Sequence, residues 1–205
     1  MKFRVTAFAV LAATATGCYA AQPGSIYVGI DAGQTKLSNA CQSVSQAVNS
    51  LGYSVSSFNC TNTATAIGAQ IGYQFDTHVG VEVGYTDFGK PSASAVIGGV
   101  PVSAYAYPTA FNFTLVWTQP VVDRFSVLGR LGLGITTLKA SASSPTASSS
   151  ASAQSRTAVP GIGVEYDFGK VAARVIFDYY GKIGDASTTG TTHLSSLTAG
   201  LTYSF

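Results

Sequence analysis

The chain has 205 residues, of which only 10% are charged and 46% hydrophobic, whereas soluble domains carry about 25% charged residues. Its 11 basic residues fall to nine without Lys2 and Arg4, matching the nine acidic ones. The remainder is formally neutral, which excludes the basic patch that a nucleic-acid-binding surface needs.

Residues 1–20, MKFRVTAFAVLAATATGCYA, combine a basic start with an apolar run over 5–13 and small residues before Ala21. This reads as a secretory signal peptide cleaved after Ala20, with Cys18 and Ala20 at the recognised positions, and the apolar run is too short to span a bilayer. ATGC ending at Cys18 is the rival reading, a lipoprotein signal. Either way Cys41 and Cys60 remain as a pair in an exported chain. The stretch between them has no His or acidic residue for a metal site. A disulfide stapling one surface loop is the reading, since the compartment is oxidising.

From residue 25 onward eight segments alternate apolar with polar or small residues, the period of strands with two unlike faces. In SIYVGIDAG, Ile26, Val28, Ile30 and Ala32 oppose Tyr27, Gly29, Asp31 and Gly33. AIGAQIGYQF sets Ile67, Ala69, Ile71, Tyr73 and Phe75 against Gly68, Gln70, Gly72 and Gln74, and HVGVEVGY sets Val79, Val81, Val83 and Tyr85 against Gly80, Glu82 and Gly84. AFNFTLVW places Phe111, Phe113, Leu115 and Trp117 opposite Asn112, Thr114 and Val116. FSVLGRLGLGI, GIGVEY and VAARVIFDYY continue the pattern, and SSLTAGLTYSF ends it with Leu197, Ala199, Leu201, Tyr203 and Phe205 on one face.

Connections at 76–78, 119–124 and 167–170 are short, while those at 33–64, 86–108, 138–156 and 181–193 are long and polar. The third long one, SASSPTASSSASAQS, reads as a mobile low-complexity loop. An exported chain that is poor in charge and lacks helix-length apolar spans has one membrane solution, a closed barrel, with long loops outside and short turns within. Tyr73, Phe75, Trp117, Tyr166, Tyr203 and Phe205 fall near one end of the segments, and Tyr85, Tyr179 and Tyr180 near the other. They read as two interfacial girdles.

Strand parity sends Asp31, Glu82, Arg130, Glu165, Arg174 and Asp178 inward, among Gly, Ser and Thr. An Arg on the lipid face at mid-depth would cost about 2–4 kcal/mol, so segregation and pairing inside a narrow lumen are expected.

TAIGAQIGYQFDTHVGVEVGYTDFG, RFSVLGRLGLGI, GIGVEYDFGKVAARVIFDYYGKIGDA and the terminal LTAGLTYSF resemble the transmembrane domain of OmpA-type outer-membrane proteins. The resemblance covers essentially all of 21–205 and implies an all-β, eight-stranded, antiparallel up-and-down barrel. It implies a Glu–Arg salt bridge plugging the lumen, at Glu82 and Arg174, with Glu165 and Arg130 also matching charged sites. A family interior Lys on the fourth strand is Val116 here. The sequence as given stops at the last strand, with no segment resembling the peptidoglycan-binding domain of larger members. The resemblance further implies that the barrel assembly machinery reads Tyr203 and Phe205.

The functional expectation is a non-enzymatic, monomeric envelope protein without cofactor. It sits in outer-membrane lipid and lipopolysaccharide and presents loops to host or phage surfaces, with a plugged or narrowly conducting lumen. The alternative is a lipid A deacylase-like enzyme using His193 and Ser195, which form a His-x-Ser pattern. A serine nucleophile needs its base within hydrogen-bond reach and a carboxylate orienting that base. The following Asn of that enzyme's motif is Ser196 here, and the nearest acid is Asp185.

Overall fold

The structure, a computed structural model, describes residues 23–42, 45–46 and 55–205. The expected signal peptide, including Cys18, lies outside the described residues. The alternating segments become strands in chain order: β1 Ile26–Ser38, β2 Val55–Thr61, β3 Thr63–Gln74, β4 Val79–Asp87, β5 Ser92–Ile97, β6 Val100–Val122, β7 Phe125–Ser143, β8 Ser148–Asp167, β9 Val171–Asp185 and β10 Gly190–Ser204. Eight of them close a ring in the order β6-β4-β3-β1-β10-β9-β8-β7, with β7 returning to β6. Every pairing is antiparallel. Closure removes the free edges that an open sheet would present.

Two strands lie outside the ring. β5 pairs with the first residues of β6, from Val100 to Tyr105, and β2 pairs with β5. The stretches at 33–64 and 86–108 were expected as loops but hold these strands, because small and β-branched residues such as SASAVI can extend the ladder of their neighbours. The serine-rich stretch is likewise no mobile loop. β7 and β8 stay paired out to Ser143 and Ser148. Composition concealed this pairing because Ser and Ala carry little strand preference of their own, and the register set by the barrel below continues through them.

At the opposite end the connections are tight. The Asp76 carboxylate accepts hydrogen bonds from the backbone N–H groups of His78 at 2.7 Å and Val79 at 2.8 Å. Those two donors hold its pKa below the usual carboxylate range. The β8–β9 turn uses Gly169 at a φ of 107°, with its N–H donated to Asp167 at 2.5 Å; a side chain there would be strained.

Parity along the strands sorts the wall. Ile30 and Leu133 are each 68% exposed, and Leu131, Ile162, Trp117, Phe113 and Leu201 stand out around the whole circumference. Water would not tolerate so continuous an apolar belt, so its partner is lipid. Tyr73 with Phe75, Tyr166 with Phe168, and Tyr203 with Phe205 form edge-on or tilted ring pairs near the short-turn end. Tyr180 departs from the sequence expectation. It is 2% exposed and faces inward, on the same parity as Arg174 and Asp178. A register shift between Leu194 and Ser195 leaves Tyr180 as the extra residue of a bulge opposite them.

Candidate functional site: two layers across the lumen

An eight-stranded ring has an interior just wide enough for side chains to fill it. Glycine makes room where large groups cross: a Cβ on Gly72 would meet the Tyr27 ring, and one on Gly161 would meet the Asp178 carboxylate. In the half nearer the short turns the interior is ionic. Glu82 projects from β4 and Arg174 from β9, four strands apart in the ring in either direction. Their side chains therefore bridge the full diameter, with Arg174 Nη1 donating to Glu82 Oε1 at 2.6 Å.

Glu82 is 2% exposed and holds two further donors. Arg130 Nη1, from β7, reaches Oε2 at 2.5 Å, and the Tyr27 hydroxyl, from β1, reaches Oε1 at 2.9 Å. Arg174 also donates through Nε to Glu165, its direct cross-strand partner, and its guanidinium lies 5.0 Å from the centroid of the Tyr27 ring. Arg130 Nε reaches Asp178 Oδ1 at 3.2 Å. Desolvating such charges is costly unless each is paired and hydrogen-bonded, a condition this cluster meets at both Arg residues.

Asp31 is in no ion pair among the described residues. It lines a cavity of about 20 Å³ with Arg130, Asp178, Asn112 and Thr198, room for a single water. The Asn112 Oδ1 is buried without a hydrogen-bond partner among the described residues. Val116 is 1% exposed and supplies no charge.

Toward the far end the lumen becomes apolar. Leu37, Ala66, Phe88, Ala110, Leu138, Val159, Tyr180, Ile183 and Leu194 form one buried cluster drawn from ring strands and the segment after β4. Phe88 and Tyr180 meet edge to face at 4.8 Å between centroids, and Leu37 faces Leu194 across the β1–β10 ladder. The Tyr180 hydroxyl accepts a hydrogen bond from Asn112 Nδ2 at 2.9 Å, joining this layer to the ionic one. Sequence reading missed the apolar layer and Tyr27, although parity carries the signal. The inward residues of β1 run Asp31, Gly33, Thr35, Leu37, and those of β7 run Arg130, Gly132, Gly134, Thr136, Leu138. Extending each alternation past the apolar outer residues reveals the change from polar to apolar.

The remaining expected residues are placed as follows. Cys41 and Cys60 are disulfide-bonded, tying the segment after β1 to β2. Tyr203 and Phe205 stand outward at the short-turn end, and Phe205 is 72% exposed. His193 and Ser195 share the outward side of β10, but no hydrogen bond joins them among the described residues. His193 Nδ1 pairs with the Tyr179 hydroxyl at 2.9 Å. Asp185 accepts from the Ser187 backbone N–H at 2.9 Å and from the Ser187 hydroxyl, and among the described residues no carboxylate pairs with the imidazole.

A ring of eight antiparallel strands with an apolar outer wall and a polar, side-chain-filled interior defines a small outer-membrane β-barrel. Residues 21–205 match the OmpA-like transmembrane domain, and the chain belongs to that family of outer-membrane proteins. The crystal structure of Ail, the attachment invasion locus protein of Yersinia pestis, is similar over 90% of this chain and 100% of that one, with 16% identity and a TM-score of 0.54. The same protein in complex with the heparin analogue sucrose octasulfate matches at 14% identity, with the same coverage and TM-score. The N-terminal barrel domain of Pseudomonas aeruginosa OprF matches over 89% of this chain and 99% of that one, with 14% identity and a TM-score of 0.51. Comparison with curated protein sequences returns no match.

Proposed function

We propose that this protein is a non-catalytic surface barrel with a closed lumen, which contributes to envelope integrity and presents its strand extensions outside the cell. The observation that carries this reading is the succession of two unlike layers across one narrow lumen. A solute must part Glu82 from Arg174 and Arg130, and then displace Phe88, Tyr180 and the leucines around them. Barrels of this class place long connections outside and short turns in the periplasm, which puts the β2, β5, β7 and β8 extensions in contact with the surroundings. The sucrose octasulfate complex of Ail is an instance of a barrel of this fold holding an anionic saccharide. In the same reading Tyr203 and Phe205 serve as the assembly signal, and the barrel acts as a monomer.

Solute efflux from proteoliposomes tests the proposal. Vesicles carrying the refolded protein retain small ions and sugars as well as protein-free vesicles do. Efflux that scales with the amount of protein inserted overturns the closed-lumen reading.

A further inference from the structure

Beyond the apolar layer, on the side away from the ionic one, the interior does not stay filled. On β6 the inward parity runs from Asn112 through Ala110 and Pro108 to Ala106 and Ala104, and on β7 from Thr136 through Leu138 to Ala140. Alanines thus replace the large groups that fill the lumen below, and they line a cavity of about 170 Å³. Leu37 and Leu138, both members of the apolar layer, line it as well. The strands outside the ring supply a further wall. Cys60 of β2 pairs with Ala93 of β5, and Ala93 pairs with Ala104, so one rung of small side chains borders the space. The Cys41–Cys60 disulfide ties the outer strand of that wall to the segment after β1. Thr189 and Thr192 also line the cavity, but their hydroxyls already donate to the Gly190 carbonyl at 3.2 Å and the Ser38 carbonyl at 2.6 Å. Among the described residues no charged side chain lines it.

We infer that this cavity is a binding site for one compact, uncharged, largely apolar molecule the size of a single ring, taken up at the mouth of the barrel. Size sets the upper limit. Pockets for drug-sized ligands measure about 300–1,000 Å³, whereas a dry cavity of about 150 Å³ lined by Leu, Ile and Phe binds benzene. Chemistry narrows the choice further. With no charge in the wall and two of its hydroxyls committed to backbone, an anion or a saccharide entering the cavity loses hydration that nothing there replaces. An apolar ring instead removes its own surface and that of Leu37 and Leu138 from water. A lipid acyl chain is too long, because the packed cluster around those two leucines ends the cavity. The wall is braced by the disulfide before any ligand arrives, so little ordering opposes binding. The inference goes beyond the closed lumen, and it takes from the proposed orientation only the side from which the ligand comes.

Alanine-methyl NMR of the full mature chain in lipid nanodiscs tests it, with fluorobenzene as the probe and 4-fluorobenzoate as its charged counterpart. Fluorobenzene shifts the Ala93, Ala104 and Ala106 methyl resonances along a saturable curve, and 4-fluorobenzoate leaves them in place. Ala104→Leu and Ala106→Leu each add volume inside the cavity and weaken fluorobenzene binding about tenfold. Ala147→Leu adds the same volume at the exposed turn between β7 and β8 and binds as the parent does. Heat-modifiable migration establishes that each variant is folded, and the saturation and charge selectivity of the parent stand as a test without them. Shifts that grow in proportion to the probe without saturating, as partition into the lipid gives, overturn the inference. Equal binding of 4-fluorobenzoate, or undiminished binding by both filled variants, does the same. Efflux through the lumen overturns the closed-lumen reading and leaves this site standing.

Discussion

The two layers across the lumen are built by different physics, and the difference separates geometry from volume. In the ionic layer each contact is directional. Glu82 gathers three donors from three strands, so removing one partner leaves charges buried without compensation. In the apolar layer no single contact dominates, and the packing depends on filling space between Leu37, Phe88, Leu138, Tyr180 and Leu194. The first layer should fail when a charge is unpaired, and the second only when enough volume is removed.

Arg174→Ala sharpens the contrast most, because it strips a donor from both Glu82 and Glu165. Breaking a buried pair from one side costs about 3–5 kcal/mol; lumen water brings the expected loss toward the lower end. Urea unfolding from lipid vesicles measures it, and a double-mutant cycle with Glu82→Gln should show strong coupling. Phe88→Ala is the matching change in the apolar layer. It removes a fully buried ring and should cost about 3 kcal/mol by the same assay, with no coupling to Glu82. Coupling of equal size in both cases would erase the distinction between the layers.

Reducing the Cys41–Cys60 disulfide acts outside both layers. It removes the covalent tie between the segment after β1 and β2, so limited proteolysis should cut between Cys41 and Cys60 faster while heat-modifiable migration of the barrel is unchanged. The smallest expected effect lies at the short-turn end. Asp76 has its pKa lowered by the His78 and Val79 N–H groups, so its contribution to stability is present above the unfolded value of about 4. That contribution fades as pH falls through the lower folded value. Asp76→Asn should therefore flatten the acid limb of the stability profile slightly and leave the lumen unaffected.

The ionic layer was legible in the sequence because charge is rare in this chain. A Glu or Arg among Gly, Val and Leu on a strict two-residue period can face only one way. The apolar layer was not legible, since Leu37, Leu138 and Leu194 lie where the outward residues have already turned polar, and a leucine there resembles the end of a pattern. Phe88 belongs to no alternating segment at all; it reaches the lumen from the bend after β4, held by a hydrogen bond from its N–H to the Pro108 carbonyl at 3.1 Å. The outer strands β2 and β5 were hidden for a related reason. β5 continues the ladder of β6, and β2 that of β5, so their small and β-branched residues pair by following a neighbour and not by an alternating pattern of their own.

Single-channel recording in planar bilayers tests most directly whether the two layers close the lumen in series, when the parent, Arg174→Ala, Phe88→Ala and the combined variant are compared. The account predicts that the parent and each single variant stay closed, and that the combined variant conducts stably. Stable conductance by the parent, or by Arg174→Ala alone at the level of the combined variant, would contradict it.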